Sequence, residues 1–349
     1  MRITVNASRK YDVVIEESYH GLKGEVERVV TGEKILIVTD DNVERLFLHK
    51  VIDELKDTYN IFTHVVKSGE DSKNSKNYFS ILSTLLQNQF NRNDCVIALG
   101  GGVVGDLAGF VASTYMRGIA FIQLPTTLLS MIDSSIGGKT AINLDCTKNV
   151  VGTFYQPYLV YDATLALSTL PEREVVSGLG EAIKYAFLSY TVNRSGLIKD
   201  KLIKDKECAK TLIYECVNIK KKIVEEDEKE SGKRALLNLG HTIGHAIEAL
   251  SGFTVSHGEC VTMGIKKIID MSCRYYELDD NKRQDMLSLV NINGTALSYN
   301  YTADEVINMI MHDKKSTNKG CNLVLVKDIG QPEIVNFDID SLRRLYNAS

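Results

Sequence analysis

The segment Asp94-Cys-Val-Ile-Ala-Leu-Gly-Gly-Gly-Val-Val-Gly-Asp106 runs from a short apolar stretch straight into glycines. Residues 94–99 read as a buried strand, and Gly100, Gly102 and Gly105 satisfy a GxGxxG spacing. Glycines at that spacing permit a tight turn, let the backbone approach a pyrophosphate, and open a helix whose amides attract anions. Strand followed by helix is the context a dinucleotide site requires. Two details are unusual. The loop follows the third β-like run instead of the first, and no acidic residue ends a strand about 20 residues later. Asp40 and Asn42, at the end of the first Ile/Val-rich run, are the nearest candidates for a ribose contact. A glycine turn that only permits close packing is the alternative reading.

Outward from this segment, the first half alternates β-branched runs with helical patterns. Runs 34–40, 61–66, 94–99 and 120–125 read as strands, and 43–56 and 74–90 as helices. Such alternation predicts a parallel sheet covered by helices. From Glu172 onward the period is 3.6, across 173–190, 205–227, 235–251, 258–277, 280–292 and 303–312. A late β-like run, 322–326, is expected to form a hairpin with the segment ending at Ile334-Val335. Three of the four prolines (Pro125, Pro157, Pro171) precede the change, and Pro171 is a natural helix start. The expected architecture is an α/β domain over 1–171 followed by a helical domain over 172–349. Clefts between such domains are common ligand sites.

The chain has 349 residues, 44% hydrophobic and 25% charged, the composition of a soluble globular protein. Net charge is −4 with the signs interspersed, which gives no basic field for nucleic acid. Lys220-Lys-Lys222 is followed closely by Glu225, Glu226, Asp227, Glu228 and Glu230 and reads as a solvated helix end. Seven scattered cysteines lack CxxC spacing, and fit reduced thiols better than a disulfide framework or a Cys-zinc site. The start lacks a signal-peptide pattern, and no apolar run is long enough for a membrane helix. A cytoplasmic location is expected, with no membrane partner.

Three further clusters carry chemistry. In Asp133-Ser-Ser-Ile-Gly-Gly-Lys139-Thr140, a lysine beside two glycines presents an ammonium next to backbone amides, suited to phosphate or carboxylate. Pro125-Thr-Thr127 and Lys148-Asn149 add hydroxyls, a cation and an amide at further loop positions. Glu181 and Lys184 share a helix face. Finally, Asn238-Leu-Gly-His-Thr-Ile-Gly-His245 places His241 and His245 one helical turn apart, with His257 close behind. Gly240 and Gly244 fall on the same face, one residue earlier, as if something approaches the backbone there. Imidazoles at this spacing suit a divalent cation. Spacing alone leaves open whether His245 or Glu181 completes the set. Arg234 and Asn238, one turn apart, would point toward the same site.

Taken together, GGGVVGDLAGF, YMRG, LPTTLLSMIDSSIGGKTAINL, KNVVGTFYQP, STLPEREVVSGLGEAIKYA, ALLNLGHTIGHAIEAL and HGE resemble the 3-dehydroquinate synthase family over nearly the whole chain. The resemblance implies an N-terminal Rossmann-like NAD-binding domain, a C-terminal helical domain holding one divalent metal (Zn or Co), and a homodimer. It implies conversion of 3-deoxy-D-arabino-heptulosonate 7-phosphate to 3-dehydroquinate and phosphate. The steps are transient oxidation by NAD, phosphate elimination, reduction, ring opening and an internal aldol. Metal ligands fall on Glu181, His241 and His257, and a proton-transfer role on His245. Substrate contacts fall on Asp133, Lys139, Asn149, Lys184, Lys220, Arg234, Asn238 and Lys314 (or Lys315), with Arg117 reaching the partner subunit's site. NAD contacts fall on Asp40, Asn42, Glu70, Lys73, Gly101, Gly102, Val103, Asp106, Thr126, Thr127, Lys139, Lys148, Thr169, Leu170 and Glu174. The chain departs from the pattern at Ala166, where relatives often carry Phe. Rival readings are another sugar-phosphate cyclase, such as a 2-deoxy-scyllo-inosose synthase, a metal-dependent polyol dehydrogenase, and a non-catalytic NAD or metal sensor.

Overall fold

Strands whose residues are apolar on both faces belong in the middle of a sheet covered on both sides. Cys95–Gly100 and Ala120–Pro125 are buried at every position. The structure is a computed structural model that describes residues 1–145, 147–294, 297–313 and 320–349. The chain divides into two compact units, Met1–Leu170 and Pro171–Ser349.

The first unit holds nine strands: β1 (Arg2–Asn6), β2 (Lys10–Glu16), β3 (Lys34–Asp40), β4 (Asn60–Val66), β5 (Cys95–Gly100), β6 (Ala120–Pro125), β7 (Lys139–Leu144), β8 (Thr147–Phe154) and β9 (Leu159–Ala163). Its α-helices of a full turn or more are α1 (Leu22–Glu27), α2 (His49–Leu55), α3 (Ser75–Gln87) and α4 (Gly102–Thr114). Seven strands form one sheet in the order β1-β2-β9-β6-β5-β3-β4. All neighbours in it are parallel except β1 with β2. The expected parallel α/β sheet is therefore present, with an antiparallel N-terminal edge that the periodicity did not disclose. On one face, Leu107, Ala108 and Val111 of α4 and Ile81 and Leu85 of α3 share a core with Leu36, Val38, Val96 and Phe121.

This order explains why the glycine loop follows the third Ile/Val-rich run. β3 and β5 lie side by side, and the chain leaves them in opposite directions, to β4 and to β6. Ligands bind open sheets at such a reversal, outside the carboxyl ends of the strands. The loops flanking it here begin with Asp40 and with Gly100-Gly101.

β7 and β8 form a separate antiparallel hairpin. Lys139, Lys148 and Asn149, expected in loops, are on its strands.

The second unit is helical: α5 (Glu172–Leu188), α6 (Lys199–Lys204), α7 (Lys206–Glu226), α8 (His241–Leu250), α9 (His257–Tyr276), α10 (Asp280–Val290), α11 (Ala303–Asp313) and α12 (Ile339–Ala348). β10 (Cys321–Val326) pairs antiparallel with β11 (Pro332–Phe337), the hairpin expected from the sequence. The helix expected over 235–251 is broken. A 3-10 turn, Lys233–Asn238, ends before Gly240, whose left-handed φ of 77° starts α8. Gly240 thus precedes the helix instead of lying on its face. Among the described residues, no helix is long and apolar enough to cross a membrane.

Candidate functional site

Four close approaches in the second unit are made backbone to backbone, beside residues able to bind a metal. A Cβ on Gly180 of α5 would lie 2.1 Å from the carbonyl oxygen of Gly258 on α9. A Cβ on Gly258 would lie 1.8 Å from the Ser177 carbonyl oxygen. At the other side of α9, a Cβ on Gly264 would lie 2.1 Å from the Gly240 carbonyl oxygen, and one on Gly244 2.9 Å from that of Cys260. What approaches these glycines is therefore the neighbouring helix, closer than side chains would permit. Glu181 follows Gly180, His257 precedes Gly258, and His241 follows Gly240.

The result is a convergence. Oε1 of Glu181 lies 3.4 Å from His241 Nε2 and 3.2 Å from His257 Nε2. His241 Nδ1 is 3.1 Å from the Leu239 carbonyl, which can only accept, so Nδ1 carries the hydrogen. Burial pushes His241 down to about 3, against the pull of Glu181, and keeps the ring neutral. Its Nε2 lone pair then faces a carboxylate oxygen, two acceptors with nothing to share. A cation between them resolves that conflict, and carboxylate plus imidazole is a divalent-metal donor set. Burial also works against charge on His257, but hydrogen bonds to Glu181 and Glu248 prevail and raise it to about 10. Positive charge is favoured here. His245, more exposed, has its ring centroid 5.4 Å from that of His241 and 5.6 Å from that of His257. The ligand nitrogens of these three histidines all lie within 4.8 Å of one another.

The second unit also buries cations. Glu181, Lys184 and Arg234 are each 1% exposed, and Lys220 5%. Lys184 pairs with the second oxygen of Glu181, and Arg234 Nη1 donates to the Glu228 carbonyl. Lys220 departs from the solvated helix end expected for 220–222. Lys221 meets that expectation, 3.9 Å from Glu225. Asp227 accepts from the amides of Arg234, Ser231 and Gly232, which hold its carboxyl below the usual range and shape the loop carrying Arg234. Asn238 donates to Glu230 at 3.1 Å. Among the described buried side chains of this unit, three cations (Lys184, Lys220, Arg234) face two carboxylates (Glu181, Asp227). Buried charge at that imbalance suits an anionic ligand.

In the first unit, five of the six parallel strands carry expected cofactor residues at or after their carboxyl ends. Asp40 follows from β3, Glu70 and Lys73 from β4, Gly101, Gly102, Val103 and Asp106 from β5, Thr126 and Thr127 from β6, and Thr169 and Leu170 from β9. Asp40 accepts the amides of Asn42 and Val43. A Cβ on Gly101 would lie 3.2 Å from Thr127 Cγ2, and one on Gly105 2.7 Å from Gln123 Oε1. The glycines therefore serve close packing as well as leaving amides open at the start of α4. Buried Lys73 bonds Asp106 and the side-chain oxygen of Asn149. Asn143 joins this network, donating to Glu70 at 2.8 Å and accepting from the Asn149 amide at 2.9 Å. Asn149 is thus brought together with residues expected to bind the cofactor. Asp133 is in a π-helical turn, Ser130–Ser134. Lys139, Lys148 and Arg117 are exposed, as is Glu174 on the second unit. Lys314 and Lys315 lie outside the described residues.

Sequence reasoning missed Asn143, Asp227 and Glu248. Glu248 alone carried a signal, standing seven residues after His241 and so on the same helix face.

The fold is shared with solved structures. The chain is similar over 100% of both lengths, with a TM-score of 0.90 and 23% identity, to a 2-deoxy-scyllo-inosose synthase complexed with carbaglucose-6-phosphate, NAD+ and Co2+. It is also similar to a 2-epi-5-epi-valiolone synthase of Streptomyces hygroscopicus with NAD+ and Zn2+ bound, at TM-score 0.85 and 23% identity, covering 100% of this chain and 98% of the other. The sequence gives the finer assignment. Residues 63–177 match the 3-dehydroquinate synthase N-terminal model and 178–316 the 3-dehydroquinate synthase C-terminal model. The 3-dehydroquinate synthase of Clostridium acetobutylicum is 40% identical over 330 residues, 92% of this chain and 91% of that relative. The chain belongs to the 3-dehydroquinate synthase family.

Proposed function

We propose that this enzyme converts 3-deoxy-D-arabino-heptulosonate 7-phosphate to 3-dehydroquinate and phosphate, using NAD and one divalent metal, Zn2+ or Co2+. The observation that carries the reading is the meeting of Glu181, His241 and His257 beside buried Lys184. When bound, NAD supplies a hydride acceptor that is restored in each turnover, and the metal supplies Lewis acidity at substrate hydroxyls.

The chain's own residues have divided tasks in this reading. Glu181, His241 and His257 hold the metal. His245, one turn along α8, moves a proton at its ring nitrogen. Lys184, Lys220, Arg234 and Asn238, with Asp133, Lys139, Asn149 and Lys314, bind and orient the substrate's phosphate, carboxylate and hydroxyls. Because the substrate's phosphate can act as base for its own departure, orientation and electrostatics are the protein's main contributions. In the first unit, the amides of Gly101, Gly102 and Val103 at the start of α4 take the pyrophosphate, and Asp40 and Asn42 the ribose. Glu70, Lys73, Asp106, Thr126, Thr127, Lys139, Lys148, Thr169, Leu170 and Glu174 complete the dinucleotide contacts.

Purified protein given the heptulosonate phosphate, Zn2+ or Co2+ and catalytic NAD+ is expected to release phosphate and dehydroquinate in equal amounts, with no accumulation of reduced nicotinamide. NADH formed in step with substrate loss would instead identify a polyol dehydrogenase. Cofactor binding without turnover would identify a sensor.

The enzyme is further proposed to work in the cytosol, in keeping with six free cysteines among the described residues, and as a homodimer in which Arg117 enters the partner's site. Support for the dimer comes from the end of α4, where exposed Met116 and Arg117 hold left-handed φ values of 48° and 66°. Such backbone costs on the order of 1–3 kcal/mol and is kept where function requires it. Mixing Arg117→Ala with His241→Ala subunits is expected to restore activity that neither variant shows alone. Mixtures that stay inactive after subunit exchange would refute the role of Arg117 in trans.

A further inference from the structure

The proposed metal reading leaves the carboxylate of Glu248 without a task. It lies on α8, its side chain 14% exposed, with Oε2 3.3 Å from Nδ1 of His257. We propose that Glu248 is a positioning residue that sets the ring orientation, tautomer and basicity of His257. The inference rests on the metal reading above and deepens it.

His257 is the first residue of α9, and its backbone is held in two ways. Ser256 and Glu259 form a capping box, and the Gly258 amide donates to Ser177 Oγ at 3.1 Å. Neither contact acts on the imidazole, whose terminal torsion is broad and roughly two-fold. A flip of the ring would turn Nε2 away from Glu181. The contact that opposes the flip is Nδ1–H donating to Glu248, since a carboxylate accepts and does not donate.

The two half-buried histidines differ here. His241 is oriented by the backbone carbonyl of Leu239, a partner no substitution removes. His257 is oriented by a side chain. Its place at the start of a 20-residue helix also sets the positive end of the helix dipole beside the proposed cation. A carboxylate two bonds of contact away offsets that field and raises the electron density of the ligating nitrogen.

The test is Zn2+ affinity of the full-length protein, by competition with a chromogenic chelator, together with the visible spectrum of the Co2+-loaded form. Glu248→Ala is expected to weaken Zn2+ binding by about 10- to 100-fold and to alter the Co2+ spectrum. Glu248→Gln, which can still accept from Nδ1–H but carries no charge, should fall between it and the parent. If Glu248→Ala does not fold, Glu248→Gln decides alone, by a smaller loss against none. Parent-like affinity and an unchanged Co2+ spectrum in the folded variants would overturn the role of Glu248 while the metal site stood. Failure of the parent protein to bind Zn2+ would overturn the site itself.

Discussion

Changing His241 to Ala is expected to strip the metal and abolish turnover together, whereas His245→Ala keeps the metal and turns over slowly. His241 Nε2 faces Glu181 Oε1 at 3.4 Å with its lone pair directed there by the bond to Leu239. Removing a group that ligates directly should exceed the 10- to 100-fold loss of affinity usual for outer partners, so about 100-fold or more. His245 is the exposed member of the three histidines. Loss of a general acid–base typically costs about 10²- to 10⁴-fold in rate with the metal retained. Metal content after dialysis, with rate measured on the same preparations, separates the two. The ligand nitrogens of all three histidines lie within 4.8 Å of one another, so an all-histidine site is the competing arrangement. It predicts equal metal loss from both variants, and that result would refute the division of labour between His241 and His245.

Gly258→Ala is the second large effect. The added methyl would stand 1.8 Å from the Ser177 carbonyl oxygen, a backbone atom of α5 that has no rotamer to retreat into. Overpacking of this kind costs about 1–3 kcal/mol and more where the neighbour cannot shift, so the upper end is expected here. The displacement also parts Glu181 from His257, so the unfolding midpoint and Zn2+ affinity should fall together. Gly24→Ala is the control. Nothing lies within 4 Å of a Cβ there, its φ is not left-handed, and it sits inside α1. Exchange of glycine for alanine in a helix is worth up to about 1 kcal/mol in alanine's favour. A Gly258→Ala protein as stable as its parent, with Zn2+ bound normally, would show that α5 and α9 can separate without consequence to the site.

Much of the fold was legible because burial imposes strong periods. β3, β5 and β6 read as unbroken apolar runs, and the second unit as a 3.6-residue pattern. The N-terminal β1–β2 edge escaped that reading. The hairpin of Lys139, Lys148 and Asn149 was read as loop because polar residues dominate it, β8 being exposed along nearly its whole length. Within the site, residue identity exposed Glu181 and the histidines, but not what the glycines do. A glycine looks the same in sequence whether it meets a ligand or another helix. Lys220 was misjudged for a related reason: a run of three lysines reads as surface, although only one of them turns inward. Asp227 and Asn143 act through backbone amides and a turn of chain, neither of which has a residue-type signature.

The one-edge arrangement of the first unit bears on how such a protein changes over time. β5 and β6 are sealed on both faces, so nearly any alteration there is felt as lost stability. Among the segments leaving their carboxyl ends, Gly105 and Thr126 share that penalty while other positions are free of it. New specificity toward a nucleotide or a sugar can therefore arise by rewriting a few rim residues, while the interior stays under constant purifying pressure that has nothing to do with chemistry.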